Sequence, residues 1–355
     1  MWLTSDEACA RLGVKRATLY TYASRGQVRT RSDGGRTRQY HRDDLEVLAG
    51  RSAAHAGSRS RAAAALAWGE PVLTTAISAI DPDGPYYRGV PALDCVDEPL
   101  ERIAERLWDI PASPWPHVEA PPCTDLLALR RHVDAMAAED PDRAVWTGAA
   151  ELERAKRIVG ALRHACRLPD HPDLRAAQVL TADHELNAST FTARVVASTG
   201  ADLYACVAAA LAALSGPRHG AASLEVHHVL ERFTSGSAAG VLEQAASTGL
   251  PGFGHPLYPH GDPRAEHLLH RTRGSRETEG LRRLVDAVAP LGLLPNLDVG
   301  LLAVCQAHGL PATAGALLFA SARSVGWIAH VFEQRTRPGL LRPRADYAGW
   351  APVPH

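Results

Sequence analysis

Across the last two thirds of the chain, apolar residues return every three or four positions, the spacing that gives a helix one apolar face. Residues 223–233 show it clearly, with Leu224, Val226, Val229, Leu230 and Phe233 on or near one face. Similar runs at 100–108, 126–138, 149–166, 201–214 and 238–246, with later segments reaching 333, are expected as helices. The stretch 75–80, TAISAI, is the main candidate for a strand. The fold class expected is therefore mainly α. No fixed-period repeat is visible, and the alanine-rich runs read as closely packed helices.

The first 50 residues follow a separate pattern. Thr4 or Ser5 can cap a short helix carrying Ala8 and Leu12, Gly13 permits a turn, and a second helix starts at 14–20. A Gly34-Gly35 turn flanked by Arg29, Arg31, Arg36 and Arg38 has the form of a small basic wing, and Tyr40-His41 leads into a further helix at 43–45. The segment resembles the winged helix-turn-helix domain of the MerR and excisionase families. That likeness implies DNA contacts from Lys15, Arg16, Thr18, Tyr20, Arg36 and Arg38; a small helical domain with surface arginines also suits protein binding, and both readings stay open. Residues 51–66, small and polar, are expected to be a linker.

With 46% hydrophobic and 22% charged residues, the chain can bury a substantial core. Its formal net charge of -1 supplies no overall field to draw nucleic acid or membrane, so such a partner needs a local patch. The six cysteines include no CxxC pair, no metal-ligand spacing is evident, and no unbroken apolar run reaches the roughly 20 residues of a membrane span. A cytoplasmic protein without a membrane partner or metal is expected.

Four islands interrupt the helical pattern with residues that can do chemistry. ADHELNAST holds His184 among groups able to orient it, and SGPRHGA sets His219 between a helix stop and a new helical run, where the dipole disfavours a protonated ring. LPGFGHPLYPHGDPR places His255 and Arg264 within a run of glycine and proline. LPNLDVG has Asp298 as its only carboxylate among small and apolar neighbours, where burial would raise its pKa towards that of a general base.

Together with SARSVGWIAHVFEQ, and in this order, the islands resemble the citrate synthase family. The resemblance runs from about Thr75 to the Arg342-Pro-Arg344 segment. It implies a mainly α homodimer, or higher oligomer, with a large domain at 67–222 and 320–355 and a small domain at 223–319. It also implies a condensation of acetyl-CoA with oxaloacetate, with acetyl-CoA as cosubstrate and no tightly bound cofactor. On this likeness Asp298 takes the methyl proton, His219 donates to the thioester oxygen and His255 polarises the ketone. His184, Arg264, Arg323 and Arg342 hold the dicarboxylate, Arg342 from the other subunit, while Pro251, Gly252, Phe253 and Gly254 approach the CoA adenine.

Several positions depart from the family pattern: Thr181 replaces a frequent histidine, Arg218 an apolar residue, and Pro259 a basic residue that commonly meets CoA phosphate. Arg271, Arg273 and His260 are candidate substitutes, and the segment 111–149 is short and proline-rich for a large domain. A 2-methylcitrate synthase using propionyl-CoA, and a metabolite-sensing regulator built on the same fold, are the competing functions. A metal hydrolase using His227, His228, His255 and His260 is disfavoured because adjacent helical histidines point apart.

Overall fold

The computed structural model describes residues 2–12, 16–24, 28–32, 38–41, 44–45, 73–220, 222–337 and 339–343. The chain divides into two compact units, 1–74 and 75–355.

In the first unit, helix α1 (Ser5–Leu12) opens with a capping box in which the Thr4 N–H donates to Glu7 Oε2 at 2.8 Å and the Glu7 N–H to Thr4 Oγ1 at 3.4 Å. Helix α2 is Arg16–Ser24, and strands β1 (Trp2–Leu3), β2 (Thr30–Ser32) and β3 (Arg38–His41) form an antiparallel sheet in the order β1-β3-β2. Ala8, Leu19, Val28, Tyr40 and Leu45 form its core. Gly13, the Gly34-Gly35 turn, Lys15, Arg36 and the 51–66 linker lie outside the described residues.

The second unit begins with a small antiparallel meander, β4 (Ser78–Asp81), β5 (Gly84–Tyr87) and β6 (Val90–Pro91). Expected at 75–80, the first strand is shifted along the chain because Thr75 and the Ala76 N–H are drawn instead to Glu333 Oε1, at 3.3 and 2.8 Å. Helices α3 (Leu100–Trp108), α4 (Leu126–Glu139), α5 (Gly148–Cys166), α6 (Pro172–Thr181), α7 (Ala188–Ser198) and α8 (Leu203–Leu214) follow. Helix α8 starts two residues after the expected 201 because Asp202 caps it, its Oδ1 accepting the Ala205 N–H at 2.9 Å. The proline-rich stretch ahead of α4, residues 109–125, contains no helix or strand.

Helices α9 (Ala222–Thr234), α10 (Ala238–Thr248), α11 (Pro263–Arg271) and α12 (Glu279–Val288) lead to α13 (Leu297–Ala307) and α14 (Ala314–Arg335). By length and composition α14 could cross a membrane, but 94% of its most apolar 18-residue stretch is buried inside the protein, packed by α3, α5, α6, α7 and α8. Two apolar cores form. One gathers α3 to α8 and α14; the other gathers Val226, Val241, Phe253, Leu281, Leu284 and their neighbours. Helix α13 serves both, giving Leu297, Leu301 and Val304 to the first and Val299, Leu302 and Ala303 to the second.

Candidate active site

The turn between α6 and α7 rests directly on the middle of α14. Gly326 allows this: a Cβ there would lie 2.3 Å from Asp183 Oδ1 and 2.4 Å from the Ala182 carbonyl, which instead accepts the Gly326 N–H at 3.1 Å. Asp183 is fully buried, bonded by Ser78 Oγ and facing His330 Nε2 at 3.3 Å. His184 follows it into the interior, its Nε2 3.0 Å from the Tyr258 hydroxyl and its ring 5.4 Å from that of His255, edge to face. Burial, reinforced by Arg264 and Arg323, holds its pKa well below the ordinary imidazole range.

Asn187 caps α7 through Oδ1, which accepts the Thr190 N–H at 3.2 Å and faces the Ser189 hydroxyl at 2.8 Å. Ser189 Oγ also accepts the Trp327 Nε1–H at 3.0 Å and lies 2.8 Å from His219 Nε2. Its single proton can go to Asn187 or to His219; when His219 receives it, the neutral ring carries its own proton on Nδ1. Burial, then Arg323, lowers the His219 pKa to about 4, so desolvation keeps this ring neutral. Ser189 and Trp327 were not among the residues singled out in the sequence, since a serine in a helix's first turn reads as capping and a tryptophan as core.

The glycine-rich turn is set by close packing. Gly252 has φ +81°, and a Cβ on it would meet Val226 Cγ2 at 2.3 Å and Val299 Cγ2 at 2.9 Å. Its carbonyl accepts the Asn296 N–H at 2.8 Å, and the Gly254 N–H donates to the Leu294 carbonyl at 2.7 Å, so the His255 loop is paired with the segment that starts α13. Pro251 is partly exposed, Phe253 buried and Gly254 exposed. The Leu257 N–H donates to His255 Nδ1 at 3.2 Å, leaving Nε2 as the protonated nitrogen of the neutral ring. Burial and Arg264 lower its pKa to about 4.

Asp298 stands in the first turn of α13, where Asn296 Oδ1 accepts its N–H at 3.0 Å. Its Oδ1 is sealed from solvent with no hydrogen-bond partner among the described residues. Burial outweighs the opposing pull of Arg264 and raises its pKa to about 7. Arg264 is buried and held by Asp262 through two bonds, Nε to Oδ1 at 2.9 Å and Nη2 to Oδ2 at 2.8 Å, so much of its charge is spent internally. Arg323 is less satisfied. Nε donates to the Thr181 carbonyl at 2.5 Å, the guanidinium lies 4.5 Å from the Phe319 ring centroid, and Nη1 is buried without a partner among the described residues. Burial lowers its pKa to about 10. His184 lies within the electrostatic reach of Arg264, Arg323, His255 and His219, and Asp298 within that of Arg264, Asp262 and Arg323.

Arg342 is not brought to this cluster by its own chain. It is exposed, beside Leu341, whose N–H donates to Ser198 Oγ at 3.0 Å at the end of α7. Helical rise puts that end about 15 Å along the axis from Ala188. Thr181, in place of the frequent histidine, closes α6 by donating to the Ala177 carbonyl at 2.6 Å, while Arg218 and Pro259 are exposed. Of the candidate substitutes for the missing basic residue, Arg271 is committed to Asp173 at 2.9 Å, whereas Arg273 and His260 line a cavity of about 760 Å³. In the first unit, Arg16, Thr18, Tyr20 and Arg38 are exposed; Arg29 is tied to Asp44 by Nη2 at 2.7 Å.

A family model described as citrate synthase, C-terminal domain, matches residues 147–344, and one described as helix-turn-helix domain matches 2–51. Citrate synthase 2 of Bacillus subtilis is 40% identical over 184 residues, covering 49% of this chain and 50% of its own. A 2-methylcitrate synthase of Corynebacterium glutamicum is 35% identical over 191 residues, covering 51% and 50%. The chain thus spans about half the length of the curated relatives it matches. The solved citrate synthase of Pyrobaculum aerophilum superposes with TM-score 0.65 at 26% identity, over 81% of this chain and 93% of that one. That of Thermotoga maritima gives 0.63 at 25%, over 81% and 96%. With the order of motifs, the α architecture and a family match over more than half of the chain in agreement, this protein belongs to the citrate synthase family, with a helix-turn-helix domain at its N-terminal end.

Proposed function

We propose that the chain condenses a short acyl-CoA with oxaloacetate. One juxtaposition carries this reading: a carboxylate raised to about 7, neutral imidazoles and Arg323 belong to one electrostatic cluster, in which Asp298 Oδ1 and Arg323 Nη1 are buried without a hydrogen-bond partner among the described residues. Asp298 takes a proton from the acyl α-carbon while His219, oriented by Ser189, donates to the thioester oxygen that becomes negative. The enol carbon attacks the ketone carbon of oxaloacetate, and His255 Nε2–H supplies a proton to the alkoxide. Water then cleaves the thioester, releasing CoA and a tricarboxylate. Arg323 and His184 hold the dicarboxylate, with Arg264 as a second cation partly neutralised by Asp262. The Pro251–Gly254 turn faces the CoA adenine in this scheme. The α9–α13 core acts as the small domain, 223–319, closing on the large domain formed by 67–222 and 320–355.

Both acetyl-CoA and propionyl-CoA suit this chemistry, since one methylene in a pocket is worth about 1–3 kcal/mol. Oxaloacetate-dependent CoA release is to be measured with each. A preference for either supports the reaction and names the substrate; absence of release with both rejects it. For residues 1–50 the exposed Arg16, Thr18, Tyr20 and Arg38 favour DNA as partner. Affinity for duplex DNA that falls steeply with salt is then expected. Negligible binding at low salt would reject that role.

A further inference from the structure

We propose that His171, Asp173 and His308 form a site for a divalent transition-metal ion of the zinc type, joining the start of α6 to the end of α13. Each residue offers one donor atom, and the three atoms lie within 4.8 Å of one another. Asp173 Oδ2 is 3.1 Å from His308 Nε2 and 3.5 Å from His171 Nδ1. Tetrahedral coordination at zinc–nitrogen and zinc–oxygen lengths requires donors about 3.3 Å apart, so both separations need only small adjustments. The two rings face each other with centroids 4.1 Å apart. Imidazole nitrogen selects zinc, copper or nickel over magnesium or calcium.

The surroundings resemble those of a ligand set already oriented. Asp173 Oδ1 is fixed by Arg271 Nε at 2.9 Å, and Arg271 Nη1 reaches Asp97 at 3.5 Å, which leaves Oδ2 directed to the histidines. His171 and His308 sit at helix ends, as N-cap of α6 and C-cap of α13. The side chain of His171 is 45% exposed, which gives an ion a route from solvent and leaves a coordination position to water. Binding costs the Asp173 N–H bond to His171 Nδ1, at 3.2 Å, and moves the His308 ring proton to Nδ1. Asp173 and His308 are 135 residues apart and His171 lies further still, so the three donors form no motif in the sequence, which is why none was expected. An ion here would pin α13, whose first turn carries Asp298, against α6, which ends in the carbonyl holding Arg323. The site itself stands independently of the proposed reaction.

The test titrates untagged, metal-stripped full chain with Zn²⁺ by calorimetry and with Co²⁺ by visible absorption. One saturable site per chain, with the intense bands of four- or five-coordinate cobalt, is expected. His171→Ala and His308→Gln, each confirmed folded by circular dichroism, should each weaken zinc binding at least tenfold, while His227→Ala should not change it. His171 is half-exposed, so its variant keeps the test informative should His308→Gln fail to fold. Absence of saturable binding to the wild-type chain, or unchanged affinity in folded His171→Ala, would overturn the site.

Discussion

Burial decides the protonation of Asp298, His184, His219 and His255, and it acts in opposite directions on the acid and the imidazoles. It raises Asp298 to about 7 and lowers His219 and His255 to about 4, so near neutrality the acid is poised as a base and the imidazoles stay neutral donors. The sign of the pH dependence follows. As pH falls through 7 the carboxylate is protonated and turnover should decline about tenfold per unit below it, while the histidines change charge only near pH 4. The profile of kcat between pH 5 and 9 checks this; a rate unchanged across that interval would mean another group is the base. These catalytic candidates were legible because each stood in a short island that broke the helical pattern. Their supports were not. Ser189 serves His219 across 30 residues and Trp327 serves Ser189 across 138, distances over which no local spacing signals a contact.

At the scale of elements, helix existence could be read directly where the termini carry their own punctuation. Helix 100–108 is bounded by Pro99 and by Asp109 in the left-handed region, and its expected and observed ends agree. Glycines were less transparent, because what they permit depends on a distant neighbour. In an exposed helix interior Gly→Ala gains about 1 kcal/mol. At Gly326 the new methyl would instead meet Asp183 and the Ala182 carbonyl at 2.3–2.4 Å, and overpacking of this kind costs about 1–3 kcal/mol or more. Gly326→Ala should therefore destabilise the protein and displace His184, read as lower Tm and weaker oxaloacetate binding. In the site turn, Gly252→Ala should destabilise by about 1–3 kcal/mol more than Gly254→Ala, since both have positive φ but only Gly252 faces the valines. Urea titrations of the pair measure the difference; equal losses would show that the contact with Val226 and Val299 relaxes freely.

At the scale of the whole molecule, Arg342 lies exposed beside the end of α7, and the citrate synthase likeness implies that it serves the site of a second copy of the chain. If subunits share sites, mixing Asp298→Asn with Arg342→Leu protein should restore activity above either variant alone, because one of the two sites regains a full set. No recovery after verified subunit exchange would favour a site complete within one chain. The central claim of the proposed function is that Asp298 abstracts the proton in an oxaloacetate-dependent condensation. Oxaloacetate-dependent CoA release by the wild type and by Asp298→Asn, at saturating acyl-CoA and with oxaloacetate binding measured in parallel, tests it most directly. The variant should lose on the order of a hundredfold or more in kcat while binding oxaloacetate as before. Equal rates in the two proteins would contradict it.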